Sequence, residues 1–247
     1  MKPIRLDGRS LTRAQLVAVA HGASVELAAE QLPAVQRAAD FLAEQARREE
    51  PIYGVNTGFG SNADKLLGAH RLREQLPGAE QAEETLPEEL QRNLIVTHAV
   101  CVGEPFAWEV VRAMLCIRIN TLMRGHSGIR VETLQALTAM LNAGVVPVVP
   151  QLGSVGASGD LAPLSHLAIV LLGGGEAFYN GERLPGALAL RRAGLHPVTL
   201  SYKEGLALNN GTAQMLATGV LALSQLEALV ETADLAAAMT IDAFAGR

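Results

Sequence analysis

The sequence contains few aromatic residues, few charged residues and no cluster of basic ones. Aromatic side chains make up 4% of the 247 residues and charged side chains 18%, while Ala, Leu and Val dominate the apolar content. Small aliphatic side chains suit closely packed helices better than a sandwich of strands. A net charge of −5 without clustered Lys and Arg argues against a nucleic-acid partner, since phosphate binding needs such clusters. We therefore expect a mainly α protein that acts on a small molecule.

The sequence also has no clear signal for export, for a membrane span or for a metal site. The beginning, MKPIRLDGRS, has no apolar core of a signal peptide, and no uninterrupted apolar run reaches the roughly 18 residues of a span. The six histidines show neither HExxH nor a paired helical spacing, and two cysteines in a chain of this size are usually reduced core residues. We expect a cytoplasmic protein with no metal and no membrane partner.

Apolar periodicity and glycine stops predict helices along most of the chain. Ser10 and Thr12 open a short helix that ends at Gly22, and Ser24 is predicted to open a longer one that continues to Glu50. Further helices are predicted over about 90–100, 106–123, 131–142, 161–172 and 212–244, the fourth with Asp160 as its N-cap. The string FYNGERL predicts a hairpin that turns at Asn180 and Gly181.

The tripeptide Ala157, Ser158 and Gly159 lies in a glycine-rich loop directly before Asp160. On these features alone, the loop is most often a plain turn between periodic segments. It does not fit a nucleotide phosphate loop, because its glycines are not followed by Lys and then Ser or Thr.

Five longer strings change that interpretation because they occur together and in order. The sequence resembles the histidine, phenylalanine and tyrosine ammonia-lyases and the related aminomutases, from about Leu6 to its last residue. The strings that carry the resemblance are YGVNTGFG at 53–60, HAVCVGEP at 98–105, RGHSGIR at 124–130, GSVGASGDLAPL at 153–164 and LALNNGTAQM at 206–215.

The resemblance implies a prosthetic group made from the chain itself, a 4-methylidene-imidazol-5-one (MIO). The Gly159 nitrogen would attack the Ala157 carbonyl, and water would be lost, including the hydroxyl of Ser158. The residue types suit this chemistry: Gly159 has an unhindered amide, Ala157 an unhindered carbonyl and Ser158 a hydroxyl that can leave. A compressed backbone of this kind must be imposed by the surrounding fold, and Asp160 is expected to support it.

The resemblance also implies roles for residues outside the tripeptide. Tyr53 matches the base that removes the β-proton of the substrate, with Gly60 as a supporting residue of the same loop. Asn210 matches a residue that helps to hold the substrate or the prosthetic group. His98, in the pair Thr97 and His98 typical of histidine lyases, is expected to contact the substrate side chain. Asn209 departs from the family pattern, which has an apolar residue there.

The expected activity is an ammonia-lyase that eliminates ammonia from an aromatic L-amino acid, with histidine and its product trans-urocanate favoured. A tyrosine or phenylalanine lyase stays open, as does a 2,3-aminomutase, in which the ammonia re-adds to the β-carbon. An alternative of another class is a non-catalytic chain that serves only as an assembly partner. Apart from its own MIO, we expect no metal and no nucleotide.

The resemblance further implies that family members are much longer, so we expect this chain to be an N-terminal half. We divide it into an N-terminal domain over 1–200, with the tyrosine loop and the MIO loop, and the start of a central helical bundle over 201–247. The missing half would supply an arginine for the substrate carboxylate. The expected partners are a small amino-acid substrate and either further copies in a homotetramer or a complementing C-terminal half.

Overall fold

A computed structural model describes residues 2–47, 51–55, 57 and 86–246. The predicted mainly α class is confirmed: long helices form the core, and the strands are short. The sequence also predicts a helix near 63–75 and an acidic connection over 77–89. The first lies outside the described residues, as does the second up to residue 85, and from Leu86 the chain is helical. The division of the chain at residue 200 stays a prediction.

The chain begins with two parallel strands joined by a short helix. Strand β1, Ile4–Leu6, pairs with β2, Val25–Leu27, and α1 spans Arg13–Ala20 between them. Thr12 caps α1 as predicted: its hydroxyl accepts from the Gln15 amide, and the Gln15 side chain accepts from the Thr12 amide. This capping box satisfies two amides that the helix itself leaves unpaired.

The long helix predicted from Ser24 to Glu50 is wrong in its first part. Val25–Leu27 is a strand because Ile4–Leu6 offers it a pairing partner, a non-local contact that local periodicity does not reveal. A 3₁₀ turn over Ala29–Gln31 follows, and α2 spans Leu32–Gln45. Pro33 therefore lies in the first turn of α2, where its missing amide costs little, and it does not kink the helix.

Helix α4, Trp108–Leu122, is the centre of the core. It packs against α1, against α5, Val131–Asn142, and against α9, Ala213–Ala243. Its residues from Val111 to Ile119 are all buried, including two arginines, Arg112 and Arg118. A helix that is buried on all sides needs apolar residues around its whole circumference, so two guanidinium groups inside it require partners of their own.

Two antiparallel sheets lie beside this core. Strand β3, Val102–Pro105, pairs with β5, Pro150–Leu152, and β4, Val146–Pro147, is the edge of a sheet ordered β4-β6-β7. The predicted hairpin is confirmed, with β6 at Glu176–Tyr179 and β7 at Glu182–Pro185. Asn180 and Gly181 turn it with positive φ angles of 50° and 82°, which these two residue types adopt at little cost.

Three further helices surround the glycine-rich loop. Helix α3, Leu86–His98, packs against α6, Leu161–Leu171, and both pack against α8, Glu204–Asn209. A peripheral helix, α7, spans Gly186–Arg192.

The apolar composition of the long C-terminal helix α9 indicates burial inside a bundle or an oligomer, and within this chain alone most of α9 is exposed. Among its 31 residues only Ala213 and Ala217 are buried. The stretch Glu204–Ala243 is long and apolar enough to cross a membrane by length and composition alone. The core helix of a protein that never enters a membrane meets the same criterion.

Candidate functional site

The tripeptide occupies an exposed loop that ends at a buried residue. Ala157 and Ser158 are exposed, whereas Gly159 and Asp160 are buried at the start of α6. Gly156 has a positive φ of 68°, which turns the chain into the tripeptide. Ala157 and Ser158 therefore lie on the open side of the loop, and Gly159 lies on the closed side.

Gly159 packs closely against the turn after α8. A Cβ atom on Gly159 would lie 2.5 Å from Asn210 Oδ1 and 2.7 Å from the Gly211 nitrogen. Such distances are too short for any side chain, so only glycine fits here without movement of the turn. The structure thus brings two predicted site residues, Gly159 and Asn210, into direct contact.

Asp160 is the N-cap residue of α6, as predicted, but its side chain is used elsewhere. Its side chain makes no capping bond to α6. One carboxylate oxygen instead accepts from the Met215 amide at 3.0 Å, and the other accepts from the Ser154 hydroxyl at 2.8 Å. Since Thr212, the N-cap of α9, supplies no side-chain bond, Asp160 satisfies an amide in the first turn of α9.

The Asp160 backbone strengthens the same junction. Its amide donates to the Gly211 carbonyl at 2.7 Å, and its carbonyl accepts from the Leu164 amide in α6. The buried Asp160 therefore joins the loop, the start of α6, the turn after α8 and the start of α9. A support role next to the tripeptide, as the sequence predicted, agrees with this placement.

Helix α8 carries Asn210 at its end and is fixed at its beginning by an ion pair between the buried Glu204 and the partly exposed Arg130. Glu204 is 1% exposed, and its carboxylate accepts from the Arg130 amide and guanidinium, with Nη2 at 2.7 Å. Gly205 donates to the Gln91 side chain in α3 at 3.0 Å, and a Cβ on Gly205 would lie 2.9 Å from the Gln91 carbonyl. The string RGHSGIR thus contributes, through Arg130, the anchor of the helix that delivers Asn210.

Asn209, which departs from the family pattern, lies away from the open side of the loop. It is fully buried, and its side-chain amide donates to Ser165 Oγ in α6 at 3.1 Å. Its Oδ1 atom has no partner among the described residues. The polar side chain therefore joins α8 to α6 one residue before Asn210.

His98 lies at the end of α3, and a hydrogen bond indicates which of its ring nitrogens carries the proton. Its Nδ1 is 2.8 Å from the Leu94 carbonyl. A carbonyl oxygen only accepts, so Nδ1 carries the proton and Nε2 of the neutral ring is an acceptor. Cys101 follows closely, and a Cβ on Gly153 would overlap its Sγ, so the end of α3 contacts the start of the loop.

Beneath that contact, His166 of α6 accepts from the Cys101 amide through Nε2 at 3.1 Å. Burial lowers the pKa of the His166 imidazole. The neutral form that this bond requires is therefore the favoured one.

Tyr53 lies in a turn of its own. The Val55 amide donates to the Ile52 carbonyl at 3.0 Å, and the Gly54 amide donates to the buried Thr57 hydroxyl at 3.3 Å. Half of the Tyr53 side chain is exposed. Gly60 lies outside the described residues, so its predicted supporting role stays a prediction.

Sequence reasoning missed three residues that shape the site. Ser154 and Gly211 bond to Asp160, and the guanidinium of Arg118 lies against Gly211. Ser154 and Gly211 lay within recognised strings, but nothing marked their partners. The signal for Arg118 was a charge inside the apolar run of α4. Among the described residues, no group of three or more His, Cys, Asp and Glu side chains could hold a metal ion.

Comparisons with known proteins identify the family of the chain. The family described as aromatic amino acid lyase matches residues 11–247. Histidine ammonia-lyase of Symbiobacterium thermophilum is 53% identical over 96% of this chain, which covers 44% of that enzyme.

Two solved structures share the fold. Histidine ammonia-lyase of Trypanosoma cruzi superposes with a TM-score of 0.86 at 38% identity, over 99% of this chain and 45% of that one. Phenylalanine aminomutase of Pantoea agglomerans gives 0.82 at 35% identity, over 93% and 42%. The chain thus spans less than half the length of each of these relatives, and it belongs to the aromatic amino acid lyase family.

Proposed function

We propose that this chain builds an MIO from Ala157, Ser158 and Gly159 and contributes it to the active site of an ammonia-lyase. The observation that carries the proposal is the close packing of Gly159, where Asn210 and Gly211 leave no room for a side chain. This close packing fixes the position of the Gly159 backbone at the closed end of the loop, next to the exposed residues Ala157 and Ser158.

The maturation balances without an oxidant. A bond forms between the Gly159 nitrogen and the Ala157 carbonyl carbon, and the Ala157 oxygen leaves as water with the amide hydrogens of Gly159 and Ser158. A second water takes the Ser158 hydroxyl and the hydrogen on the Ser158 Cα. When formed, the group supplies an electrophilic carbon that helps a poor amine leaving group to depart.

The residues around the tripeptide divide the remaining tasks. Asn210, in contact with Gly159, would orient the substrate or the prosthetic group by hydrogen bonds. Tyr53, half exposed on its turn, would accept the β-proton as general base. The products would be ammonia and an α,β-unsaturated acid.

Histidine is the substrate that we propose first. His98 offers Nε2 as an acceptor, which matches a substrate side chain with an N–H donor such as imidazole. The likeness to histidine ammonia-lyases at 53% identity supports the same choice, with urocanate as product. A tyrosine lyase or 2,3-aminomutase is the second candidate, because a phenol also donates a hydrogen bond to Nε2, whereas a plain phenyl ring does not.

The first test is the intact mass of the purified 247-residue chain. Maturation predicts a deficit of two waters that maps to the peptide holding Ser158. Ser158→Ala is the matched control, because it keeps the fold of an exposed position and has no hydroxyl to lose. A wild-type mass equal to that of the unmodified sequence would refute maturation in this chain.

The second test is a product assay with and without a complementing lyase polypeptide. Urocanate from histidine supports the first substrate, and a coumarate or a β-amino acid from tyrosine supports the second. Assembly without any product, from a chain with no mass deficit, would favour the non-catalytic assembly partner. We propose that such assembly, as a homotetramer or with a complementing half, covers α9 in a cytoplasmic protein.

A further inference from the structure

Arg118 is a buried charge without a compensating acid among the described residues. It is 5% exposed in the middle of α4, and among the described residues its guanidinium donates from Nη2 to the Ala207 carbonyl of α8. Its Nε atom has no partner in the described part of the chain. Burial lowers the pKa of the guanidinium to about 10. A charge kept in such surroundings costs stability, so it needs another reason.

Arg112 shows that the burial of arginine in α4 does not by itself leave bonds unmade. It is equally buried, at 5% exposure, two turns earlier in the same helix. Its guanidinium donates to three carbonyls, of Val19 at 2.9 Å, Leu141 at 3.0 Å and Ala23 at 3.1 Å. Arg112 therefore joins α1, α5 and the segment before β2. These bonds give its guanidinium a purely structural role.

The contacts of Arg118 lead to the tripeptide instead. Its Nη1 occupies the place where a Cβ on Gly211 would be, so the guanidinium lies directly against the turn after α8. The same turn also contacts Gly159, with the Gly211 nitrogen 2.7 Å from the position of a Cβ on Gly159. Gly211 also accepts from the Asp160 amide at 2.7 Å. Arg118, Gly211 and Gly159 thus form one continuous stack.

We propose that Arg118 is a positioning residue that holds the turn of Asn210 and Gly211 in place, so that Gly159 packs against a fixed surface. The proposal rests on the maturation proposed above. A guanidinium suits this place because it is planar and rigid, and because it can donate to the Ala207 carbonyl near the end of α8, where a cation is also favoured by the helix dipole. An apolar side chain would fill the volume but leave that carbonyl without its donor.

The test compares Arg118→Met with Arg118→Lys and uses Arg112→Met as the matched control. Each variant is made in the 247-residue chain, and the fraction lacking two waters at the Ser158 peptide is followed over time by intact mass. We expect Arg118→Met to slow maturation by about tenfold or more, the scale of losing a charge-assisted bond to a buried acceptor. Arg118→Lys should recover part of the rate, because its ammonium can still donate to Ala207.

The control separates positioning from general stability. Arg112→Met removes three bonds and should lower the melting temperature at least as much as Arg118→Met, yet mature at the wild-type rate. Equal slowing in Arg112→Met and Arg118→Met, in proportion to lost stability, would overturn the proposal. So would wild-type maturation in Arg118→Met.

Hydrogen exchange tests the positioning role of Arg118 independently of maturation. The Asp160 amide, bonded to Gly211, should exchange faster in Arg118→Met and unchanged in Arg112→Met. If wild-type protein shows no mass deficit, the proposed function fails, but faster exchange confined to Arg118→Met still supports positioning of the turn. Unchanged exchange at Asp160 in Arg118→Met would refute it. Circular dichroism checks that each variant folds. If Arg118→Met does not fold, Arg118→Lys takes its place in both measurements.

Discussion

The junction around Asp160 and the outer part of α9 differ in how they are held, although both are rich in small residues. At the junction, side chains and backbone from four elements satisfy one another within the chain. Along α9, leucines such as Leu226 and Leu229 are 55% and 64% exposed. The difference shows that the end of the glycine-rich loop at Gly159 and Asp160 is held by contacts within this chain, whereas the outer part of α9 exposes its leucines.

Asp160→Ala should have the largest effect on the difference between the two regions, because it removes the carboxylate that joins the loop to α9. The Met215 amide would lose its acceptor and the Ser154 hydroxyl its partner. We expect a loss of about 3 kcal/mol in the free energy of unfolding, since bonds to a charged buried group are worth about 1.5–3 kcal/mol each and are not additive. Urea denaturation measures it. A loss below about 1 kcal/mol would show that the junction is not held by Asp160.

His166 provides a smaller effect that depends on pH. Its folded pKa lies below the ordinary value of about 6.5, so the unfolded chain binds the proton first as pH falls. The stability contributed by neutral His166 is present above pH 6.5, decreases as pH drops below it, and levels off below the folded pKa. His166→Gln should flatten this part of the stability curve, measured by urea denaturation between pH 5 and pH 8. The same slope in both proteins would contradict the assignment.

The smallest effect is expected on the exposed side of α9. Leu229→Lys should change the free energy of unfolding of the isolated chain by less than about 0.5 kcal/mol, because the side chain is largely in water already. Its control is Ala217→Leu on the buried side, where Ala217 is 0% exposed and overpacking costs about 1–3 kcal/mol. If Leu229→Lys also lowers the association measured by light scattering, that side is an interface. A large loss of stability with Leu229→Lys would show that the two regions are not held differently.

Patterns of neighbouring residues in the sequence predicted the elements that are stabilised by contacts between such neighbours. Helix α5 has the predicted limits, Val131–Asn142, and the hairpin turns at Asn180 and Gly181. The interval from Ser24 to Gln31 failed because strand pairing with Ile4–Leu6 outweighed its helical pattern. The apolar composition of α9 predicted that the helix needs a cover, but composition does not say which protein segment provides it.

The site followed the same rule. The resemblance singled out Gly159, Asp160 and Asn210, and the structure places them together. The partners of Asp160 could not be read from the sequence, because a helix-capping rule considers only neighbours along the chain. Arg118 was missed for a similar reason, since it touches Gly211 only after α4 and α8 have packed.

The bond from Asp160 to the Met215 amide links positions 55 residues apart, and this has a consequence during synthesis. The tripeptide leaves the ribosome well before Met215, and at that moment neither the turn behind Gly159 nor the start of α9 exists to hold it. Chemistry in the loop would therefore begin only after the following segment has emerged and docked. A nascent chain that misfolds in this interval would remain without its electrophile, so the modification itself would report that folding had succeeded.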